Sequence, residues 1–532
     1  MSRAQTIAHL AALAAAVAPA LGVRGQEAPD SLAALDAIRI EEIRVEGSSV
    51  FSPDELAAFT APYARRMVSV EELHELRHEL SRAYVERGYV SSGVIIPDQQ
   101  VTGGAVTLRA VEGVLASIEV EGNRRLRDRA IARRIERYVG TPVDIDDLQA
   151  GLWVLQEEPL VERVDAELLP GEALGESRLR VAITERPAFE LELAAANDRS
   201  PSVGEHRGTV GLTYRGLVGN GDVLSARLGV TDGVEDDVLA YRVPLNPAGT
   251  LLDVQLADQQ ADIVEEPFDA IDIESELESW SLAASHPFVL SPGRTLLGIA
   301  GFEHKRSVST LLGMPFSFSP GDVDGRAAAS AVSLGAEHTR RAGRQAWSAR
   351  GVFHVGVDAF GATRNVAGPD TRFVTFVGQA QYVRGMAWRD GRLLVHGVAQ
   401  LARDPLLAMY KMPVGGRYSV RGYRENQFVR DNGAAATVEY QFAARLDETG
   451  RARGKLTLAL FADYGVAWDE DDRLPTSRKA RVASAGVGLL WDPVPGFHLD
   501  VYWGEPFDEQ DGPTETLQDD GFHYRLSYRR PF

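Results

Sequence analysis

From Pro187 to its end at Phe532, the chain consists of short segments in which apolar and polar residues alternate, separated by clusters of Gly, Asp, Asn and Pro. In the last segment, Phe522, Tyr524 and Leu526 alternate with polar or small residues. A two-residue period puts successive side chains on opposite faces of a β-strand. This region therefore predicts a sheet with one apolar face and one polar face.

The number of these segments decides between a soluble sandwich and a membrane barrel, because both show the same alternation. Sixteen segments can be counted, and they begin near Phe189, Arg207, Asp222, Asp236, Leu251, Glu276, Arg294, Ala328, Gln345, Arg372, Gly391, Gly433, Gly454, Ala480, Phe497 and Gly521. An even number of strands of about ten residues with a two-residue period is typical of outer-membrane barrels. We therefore predict a 16-stranded antiparallel transmembrane β-barrel at residues 187–532.

The N-terminus has the pattern of a secretory signal peptide. Arg3 precedes an apolar stretch from Leu10 to Gly22, whose length suits a signal-peptide core and is too short for a membrane helix. An Ala-rich N-terminal helix is the alternative interpretation. We predict a signal peptide at 1–25 and a short segment at 26–37, so the mature protein is expected to leave the cytoplasm.

Composition argues against several classes of partner and site. The chain has 76 acidic and 56 basic residues and a net charge of −20, whereas nucleic-acid binding requires a basic face. It contains no cysteine, so it can form neither a disulfide nor a thiolate metal site. Its sequence also lacks the Walker and Gly-x-Ser-x-Gly patterns. We therefore predict no nucleic-acid partner, no cofactor, no metal site and no catalytic residues.

Between the N-terminus and the alternating region, one pattern occurs twice. A strand-like alternation ends in Val-Glu-Gly at Gly47 and again at Gly122, 75 residues later. Two helical patterns and two strand patterns follow each glycine. We predict two α+β domains with the order β-α-α-β-β, at 38–112 and 113–186. A small mixed sheet has a free edge that can accept an extended strand; the alternative is that both domains are rigid spacers.

Particular residues of the first repeat point to a known family. A Gly-Tyr precedes a strand that ends in proline, at Gly88, Tyr89 and Pro97, and a Gly-led strand from Gly104 ends in Glu-Gly at Gly113. This pattern resembles the POTRA domains of the two-partner secretion transporters, the haemolysin and haemagglutinin secretion-activation family. The resemblance implies that residues 38–112 are POTRA 1 and residues 113–186 are POTRA 2, both in the periplasm.

A charged, Gly-rich stretch, MPVGGRYSVRGYRENQF at residues 412–428, separates the eleventh and twelfth barrel segments. It has neither a helical nor a strand period. In the family that the repeats resemble, the loop at this place carries a Val-Arg-Gly-Tyr or Val-Arg-Gly-Phe tip. The matching residues are Val420, Arg421, Gly422 and Tyr423. The resemblance implies that residues 404–432 fold inward, into the barrel lumen.

The thirteenth barrel segment, which begins near Gly454, contains a second motif of the same family. Leu460 and Tyr464 share one face of this segment, so Asp463 lies on the other face, which looks into the lumen. The family pattern for this strand is Phe-x-Asp-x-Gly, present here as Phe461, Asp463 and Gly465. The resemblance implies that these residues form the barrel-wall partner of the loop tip.

These two motifs suggest one ion pair. An unpaired guanidinium is costly where water is scarce, and the planar fork of arginine suits a carboxylate. We hypothesise that Arg421 pairs with Asp463, that Gly422 permits a tight tip and that Tyr423 packs against the wall. The alternative is that Asp463 is an unpaired residue of the lumen.

The resemblance implies an outer-membrane transporter for a secreted protein. The POTRA domains would recognise an unfolded exoprotein in the periplasm as an extended chain, and the barrel would carry it to the cell surface without ATP. The implied partners are the exoprotein and outer-membrane lipid, and the protein would act as a monomer and not as an enzyme. Two alternatives stay open: an assembly factor of the same superfamily that inserts barrel proteins, and a plain porin-like barrel.

Overall fold

The computed structural model describes residues 37–101, 103–366, 368–444, 454–471, 478–508 and 516–532. The predicted signal peptide at 1–25, and the following segment up to residue 36, lie outside the described residues. The chain divides into two compact units, the first ending at Arg186 and the second spanning Pro187–Phe532. Within the described ranges, no helix is both long enough and apolar enough to span a bilayer.

The described part of the first repeat contains two α-helices and five strands. In chain order they are β1 (Ala37–Ile40), β2 (Glu42–Glu46), α1 (Pro53–Thr60), β3 (Arg66–Ser69), α2 (Val70–Glu86), β4 (Gly93–Ile95) and β5 (Ala105–Val111). In the main sheet, β2 runs parallel and β4 antiparallel to the central β5. β1 pairs with β3 in a separate sheet, so this repeat has two strands beyond the predicted order. The predicted first strand is split into β1 and β2 at Glu41, whose N–H donates to the Gly104 carbonyl (2.8 Å).

The second repeat follows the predicted β-α-α-β-β order. Its elements are β6 (Val114–Glu121), α3 (Asp128–Glu136), α4 (Ile145–Gln156), β7 (Val161–Pro170) and β8 (Glu176–Glu185). β8 is the central strand, with β6 parallel to it on one side and β7 antiparallel on the other.

The helix α2 shows how the sequence pattern builds the core of the first repeat. Leu73, Leu80 and Tyr84 are fully buried, because their spacing places them on one helical face. Burial of one side chain of this size contributes about 1.5–3 kcal/mol. The Ser69 hydroxyl accepts the Glu72 N–H (3.1 Å), and the Glu72 carboxylate accepts the Ser69 N–H (2.8 Å). This reciprocal cap determines where the helix begins.

In both repeats, a glycine directly follows the first strand of the main sheet. Gly47 and Gly122 have φ angles of +82° and +81°, in the left-handed region that costs other residues about 1–2 kcal/mol. A Cβ on Gly47 would lie 2.9 Å from the Ala110 carbonyl oxygen, and one on Gly122 would lie 2.4 Å from that of Ile183. The repeated Val-Glu-Gly therefore marks the same close turn in both domains.

A glutamate holds the loop that follows each of these glycines. Glu112 accepts the backbone N–H groups of Ser49 (2.7 Å) and Val50 (3.1 Å). Glu185 accepts those of residues 124–126, at 3.0, 3.0 and 2.9 Å. Hydrogen bonds to a charged group contribute about 1.5–3 kcal/mol each. The two repeats thus share a loop-fixing carboxylate as well as a strand order.

The second unit is a closed barrel. Its strands in chain order are β9 (Phe189–Ala196), β10 (Arg207–Arg215), β11 (Val223–Val230), β12 (Val234–Pro244), β13 (Leu251–Asp262), β14 (Ile273–Ser291), β15 (Arg294–Leu311), β16 (Met314–Pro315), β17 (Arg326–Ala342), β18 (Gln345–Val357), β19 (Val374–Gly385), β20 (Arg392–Ala402), β21 (Met412–Val414), β22 (Phe428–Arg430), β23 (Asn432–Ala443), β24 (Lys455–Trp468), β25 (Ala480–Asp492), β26 (Phe497–Pro506) and β27 (Phe522–Pro531). The short β16 pairs with the end of β15, and β21 and β22 form a hairpin between β20 and β23. In the part of the chain that the structure describes, the other sixteen strands form the antiparallel ring, which closes between β27 and β9. The predicted 16-stranded barrel is confirmed.

The two-residue period located the starts of the barrel strands better than their lengths. Each strand of the ring starts within three residues of its predicted start. The expected length of about ten residues is wrong for β14, β15 and β17, which have 19, 18 and 17 residues. These strands keep pairing through polar stretches, as at Glu274 opposite Thr310, because backbone hydrogen bonds do not depend on side-chain polarity.

The strand β24 shows the two faces of the barrel wall. Leu460 and Tyr464 are 50% and 48% exposed, whereas Phe461 and Asp463 are 5% and 4% exposed. In a transmembrane barrel the outward face is apolar and meets lipid, and polar side chains face the lumen. β24 follows this rule, with Asp463 on the inner face.

Candidate functional site

The connection between β20 and β23 packs against the inner face of the barrel wall. Its hairpin pairs Met412 with Arg430 and Val414 with Phe428. Val414 and Val420 are fully buried and belong to one apolar cluster with residues of the wall. We call residues 403–431 the inward loop, because its tip forms part of the packed interior of the barrel.

Lys411 fixes the base of the inward loop. The Lys411 Nζ lies 2.7 Å from an oxygen of Asp469 and 3.1 Å from one of Asp431. Both aspartates are almost fully buried, and the Asp431 carboxylate also accepts the N–H groups of Leu406 (3.1 Å) and Glu470 (3.0 Å). The two ends of the loop are therefore held together where it leaves the wall.

The structure brings Arg421 of the tip to two carboxylates of the wall. Its Nε donates to Asp463 Oδ2 (2.8 Å), its Nη2 to Asp463 Oδ1 (2.9 Å) and its backbone N–H to Asp463 Oδ2 (3.0 Å). Its Nη1 donates to Glu439 Oε2 on β23 (2.5 Å). This is the bidentate geometry that distinguishes arginine from lysine, with a second carboxylate in addition.

Aromatic rings complete the surroundings of Arg421. The guanidinium carbon lies 3.6 Å from the ring centre of Phe461 and 4.7 Å from that of Tyr502. A cation over an aromatic face gains about 2 kcal/mol when both are desolvated. The Arg421 side chain is 6% exposed, so water contributes little to balancing its charge. The two carboxylates and the two rings therefore replace solvent around it.

The residues after Arg421 bring the tip into close contact with the wall. Gly422 has a φ of +89°, and a Cβ there would lie 2.6 Å from the Gly504 carbonyl oxygen on β26. Its N–H donates to His523 Nε2 on β27 (3.3 Å). The hydroxyl of the buried Tyr423 donates to the Ala483 carbonyl on β25 (3.0 Å). The tip thus contacts five consecutive strands, from β23 to β27.

The other two residues of the strand motif also face the tip. Phe461 provides the ring under Arg421. A Cβ on Gly465 would lie 2.6 Å from Val414 Cγ1 and 2.7 Å from Val420 Cγ2, so only a glycine leaves room for the loop at this point of the wall. The structure therefore places Phe461, Asp463 and Gly465 on one face of β24, directly against the inward loop.

Three residues of this site have no role in the sequence-based hypothesis: Glu439, Tyr502 and His523. Alternation places Glu439 and His523 on the polar faces of their segments, and this is the signal that could have found them. Tyr502 gives no such signal, because aromatic residues occur on both faces of β26. Which strands meet the loop depends on the barrel as a whole, and the period of a single strand does not contain that information.

The POTRA motif residues have a structural role in the first repeat. The Gly88 N–H donates to the Val85 carbonyl (3.0 Å) and the Tyr89 N–H to the Tyr84 carbonyl (3.0 Å), a Schellman motif that ends α2. The Gly88 carbonyl accepts the Ile145 N–H (3.0 Å) at the start of α4. Gly-Tyr thus ends a helix and joins the two repeats.

The third residue of that motif, Pro97, lies two residues beyond the end of β4. Its carbonyl accepts a hydrogen bond from Gln99 Nε2 (3.3 Å). Proline has no N–H to donate to a strand ladder. Its position is therefore consistent with the end of β4.

Two repeats of this kind and a closed barrel with an inward loop define a class of bacterial outer-membrane proteins. The family model "Haemolysin secretion/activation protein ShlB/FhaC/HecB" matches residues 175–490, and the model "POTRA domain, ShlB-type" matches residues 38–113. The chain belongs to this family of haemolysin secretion/activation proteins. The resemblance inferred from Gly88, Tyr89 and the Val-Arg-Gly-Tyr tip is confirmed.

Individual relatives support the same assignment. The outer membrane transporter CdiB of Dickeya dadantii is 26% identical over 183 residues, which cover 34% of this chain and 32% of that protein. The outer membrane transporter CdiB of Escherichia coli O6:K15:H31 is 22% identical over 488 residues, 87% of this chain and 81% of that protein. The solved structure of CdiB from Escherichia coli has the same fold, with a TM-score of 0.70 at 19% identity, covering 97% of this chain and 93% of that one.

The family determines on which side of the membrane each part lies. The barrel lies in the outer membrane, and the POTRA unit lies in the periplasm. β9 therefore runs outward, and each later strand of the antiparallel ring reverses the direction of the one before. β20 is the eleventh strand of this ring and also runs outward, so the inward loop enters the lumen from the cell surface.

Proposed function

We propose that this protein moves an unfolded exoprotein from the periplasm to the cell surface through its barrel. The observation that carries the proposal is the inward loop, whose Arg421 lies between two buried carboxylates of the lumen wall in a barrel of the secretion/activation family. Burying three charges costs several kcal/mol for each before they pair. In a barrel of this family, a loop fixed so firmly inside the lumen suits a gated path for a polypeptide.

The POTRA repeats are proposed to bind the exoprotein as an extended chain, and the β4 edge of the first repeat offers little room for this. β4 has three residues, and the outward N–H of Val94 donates to Ser81 Oγ (2.9 Å). The side-chain amide of Gln99 continues the pairing with β5, accepting the Thr107 N–H and donating to the Thr107 carbonyl, both at 2.7 Å. This edge is short and already hydrogen-bonded.

The second repeat presents a longer edge at β7. This strand has ten residues. The Gln156 side chain bonds to the Val164 N–H (2.9 Å) and the Glu162 carbonyl (2.8 Å), so these groups point away from β8. Backbone groups alternate in direction along a strand, so Ala166 and Leu168 point the same way. An exoprotein segment that pairs there is bound through its backbone, which requires no particular sequence.

No nucleotide and no catalytic step take part in the proposed transport. The sequence has no Walker pattern, and folding of the exoprotein outside the cell supplies the downhill step that prevents its return. The protein acts as a monomer in outer-membrane lipid, with no cofactor or metal. Domain bounds of 38–112, 113–186 and 187–532 separate the two recognition domains from the path.

Secretion of a candidate exoprotein tests this proposal. Cells with the chain should release the exoprotein, and cells without it should retain it in the periplasm. A photoreactive benzoylphenylalanine in place of Ala166 should capture the exoprotein. The same residue in place of Thr107, which lies on the central strand β5 and already bonds to Gln99, should not. Unchanged release without the chain, together with impaired insertion of other barrel proteins, would refute transport and favour an assembly factor.

A further inference from the structure

Another arginine of the inward loop, Arg424, binds other connections of the barrel instead of the wall. Arg424 Nη1 donates to Glu265 Oε1 (2.7 Å), Nη2 donates to Asp519 Oδ2 (2.8 Å) and Nε donates to the other oxygen of Asp519. Glu265 lies between β13 and β14, and Asp519 lies between β26 and β27. Both connections are on the cell-surface side, so Arg424 ties the inward loop to two extracellular connections.

The next residue of the loop adds a third connection. The Glu425 N–H donates to Gln518 Oε1 (2.8 Å). The side-chain amide of Gln518, which is fully buried, donates to the carbonyls of Asn197 (3.0 Å) and Arg199 (2.7 Å) between β9 and β10. The inward loop and three extracellular connections therefore form one hydrogen-bonded group, which we call the surface latch: residues 424 and 425 with Asn197, Arg199, Glu265, Gln518 and Asp519.

Arg421 and Arg424 differ in their contact with solvent. The Arg421 and Asp463 side chains are 6% and 0% exposed, whereas those of Arg424 and Glu265 are 21% and 26% exposed. Solvent screens a charge pair, so a pair in contact with water is worth less than one in the interior. The surface latch should therefore open at lower cost than the contact of Arg421 with the wall.

We infer that Arg424 is a positioning residue that closes the lumen on the cell-surface side by holding the extracellular connections against the inward loop. Arg421 keeps the loop on the wall, and Arg424 keeps the exit covered. If the proposed function holds, passage of an exoprotein breaks the contacts of Arg424 while those of Arg421 persist. Closure of the resting barrel does not depend on an exoprotein, so it can be measured without secretion.

Ion conductance of the purified full-length protein in planar lipid bilayers tests the inference. Arg424→Ala should raise the mean conductance severalfold, because both ion pairs to the extracellular connections are lost. The matched control is Arg364→Ala, which removes an exposed arginine paired with Asp358 between β18 and β19 and should conduct like the wild type. Heat-modifiable gel mobility shows for each variant whether the barrel has formed.

A second variant keeps the inference falsifiable where Arg424→Ala does not fold. Glu265→Gln with Asp519→Asn removes both charges with little change in volume and should also raise the conductance. Arg424→Lys should restore part of the closure, because it keeps the charge without the planar fork. Wild-type conductance in a folded Arg424→Ala barrel or in the double variant would overturn the inference, whether or not secretion continues. Raised conductance would support it even where secretion fails, so its outcome is separate from that of the proposed transport.

Discussion

Two loops of this protein are held by a carboxylate that accepts backbone N–H groups, and they differ in what else that carboxylate binds. In the first POTRA repeat, Glu112 takes only neutral donors, among them the Ser49 N–H. In the barrel, Asp463 takes the Arg421 N–H and also two arms of its guanidinium. The first loop is fixed within one small domain. The second depends on a balance of buried charges that one substitution can upset.

The physical difference between the two loops lies in desolvation. A hydrogen bond from a neutral donor to a charged acceptor contributes about 1.5–3 kcal/mol, and its loss leaves no second charge unpaired. Removing one member of a buried ion pair costs about 3–5 kcal/mol, because the partner charge stays in the interior. Glu439 increases this penalty when Arg421 is removed, because two neighbouring carboxylates then remain without a cation. The barrel loop should therefore be the more sensitive of the two.

The largest effect is expected from Asp463→Asn. The substitution leaves Arg421 with Glu439 alone and removes an ionised acceptor of three hydrogen bonds. Three hydrogen bonds to a charged acceptor, worth about 1.5–3 kcal/mol each, are weakened together, so docking of the inward loop should weaken by about 3–5 kcal/mol. This should be seen as faster hydrogen exchange at residues 415–427 by mass spectrometry. Asp358→Asn, at an exposed pair, is the control and should leave this exchange unchanged. Equal exchange in both variants would mean that buried charge does not hold the loop.

The charge exchange Arg421→Asp with Asp463→Arg sharpens the comparison further. Compared with either single variant, it should restore only a minor part of the protection of the loop from hydrogen exchange and of secretion. The reason is that the carboxylate introduced at the loop tip would face Glu439 where the guanidinium now lies. Adding Glu439→Gln should improve the recovery. Full recovery in the double variant would show that Arg421 and Asp463 act as an isolated pair, without the third charge.

A smaller effect is expected from Glu112→Gln in the first repeat. The amide oxygen can still accept one N–H, so the local free energy of opening should fall by about 1–3 kcal/mol. Faster hydrogen exchange around residues 48–52 would show this. Glu185→Gln is the matched variant in the second repeat and should act at residues 124–126 instead. A loss as large as that of Asp463→Asn would remove the distinction between the two loops.

The same glutamate predicts a pH dependence. Burial disfavours the charged form of Glu112, but hydrogen bonds from Ser49, Val50 and Tyr84 outweigh it and lower the pKa of Glu112. A lowered pKa stabilises the folded repeat above the ordinary glutamate pKa of about 4.3, and this contribution is lost as the pH falls through the folded-state value. Residues 48–52 should be better protected from hydrogen exchange in the wild type than in Glu112→Gln. This difference should shrink as the pH is lowered from about 6 to about 3. A constant difference across that range would contradict this.

The smallest effect is expected from Gly88→Ala. Gly88 has a φ of +94°, and a Cβ would lie 3.1 Å from Asp144 Oδ1, so the cost should be about 1–2 kcal/mol. It should show as faster exchange at the end of α2. Gly140→Ala, where a Cβ would meet nothing within 4 Å, is the control. No difference between the two variants would exclude backbone strain as the reason for glycine at this turn.

Periodicity predicted the strands of the barrel because each strand must present an apolar face to lipid, and this requirement is local. It could not predict the pairing of β1 with β3 or the long β14 and β15, since both depend on which backbone lies alongside. The Val-Glu-Gly repeat at Gly47 and Gly122 was visible in the sequence. The contacts of Glu112 and Glu185 with the loops after these glycines were not, because the partners lie far apart in sequence.

The candidate site was likewise only partly predictable from the sequence. The parity of β24 indicated that Asp463 faces the lumen, and the resemblance supplied Arg421 as its partner. Neither could show that Glu439 reaches the same guanidinium, or that His523 and Gly504 meet the tip, since these contacts arise from closure of the ring. Arg424 has no sequence signal, because its partners lie on two connections without periodicity.

The central claim is that Arg421 serves transport and not assembly of the barrel. Secretion of an exoprotein by cells with wild type, Arg421→Ala or the control Arg364→Ala tests it, with heat-modifiable mobility measured on the same membranes. We predict that Arg421→Ala abolishes secretion while its barrel forms normally, and that Arg364→Ala behaves like the wild type. Wild-type secretion by Arg421→Ala, or a barrel that fails to form, would contradict the claim.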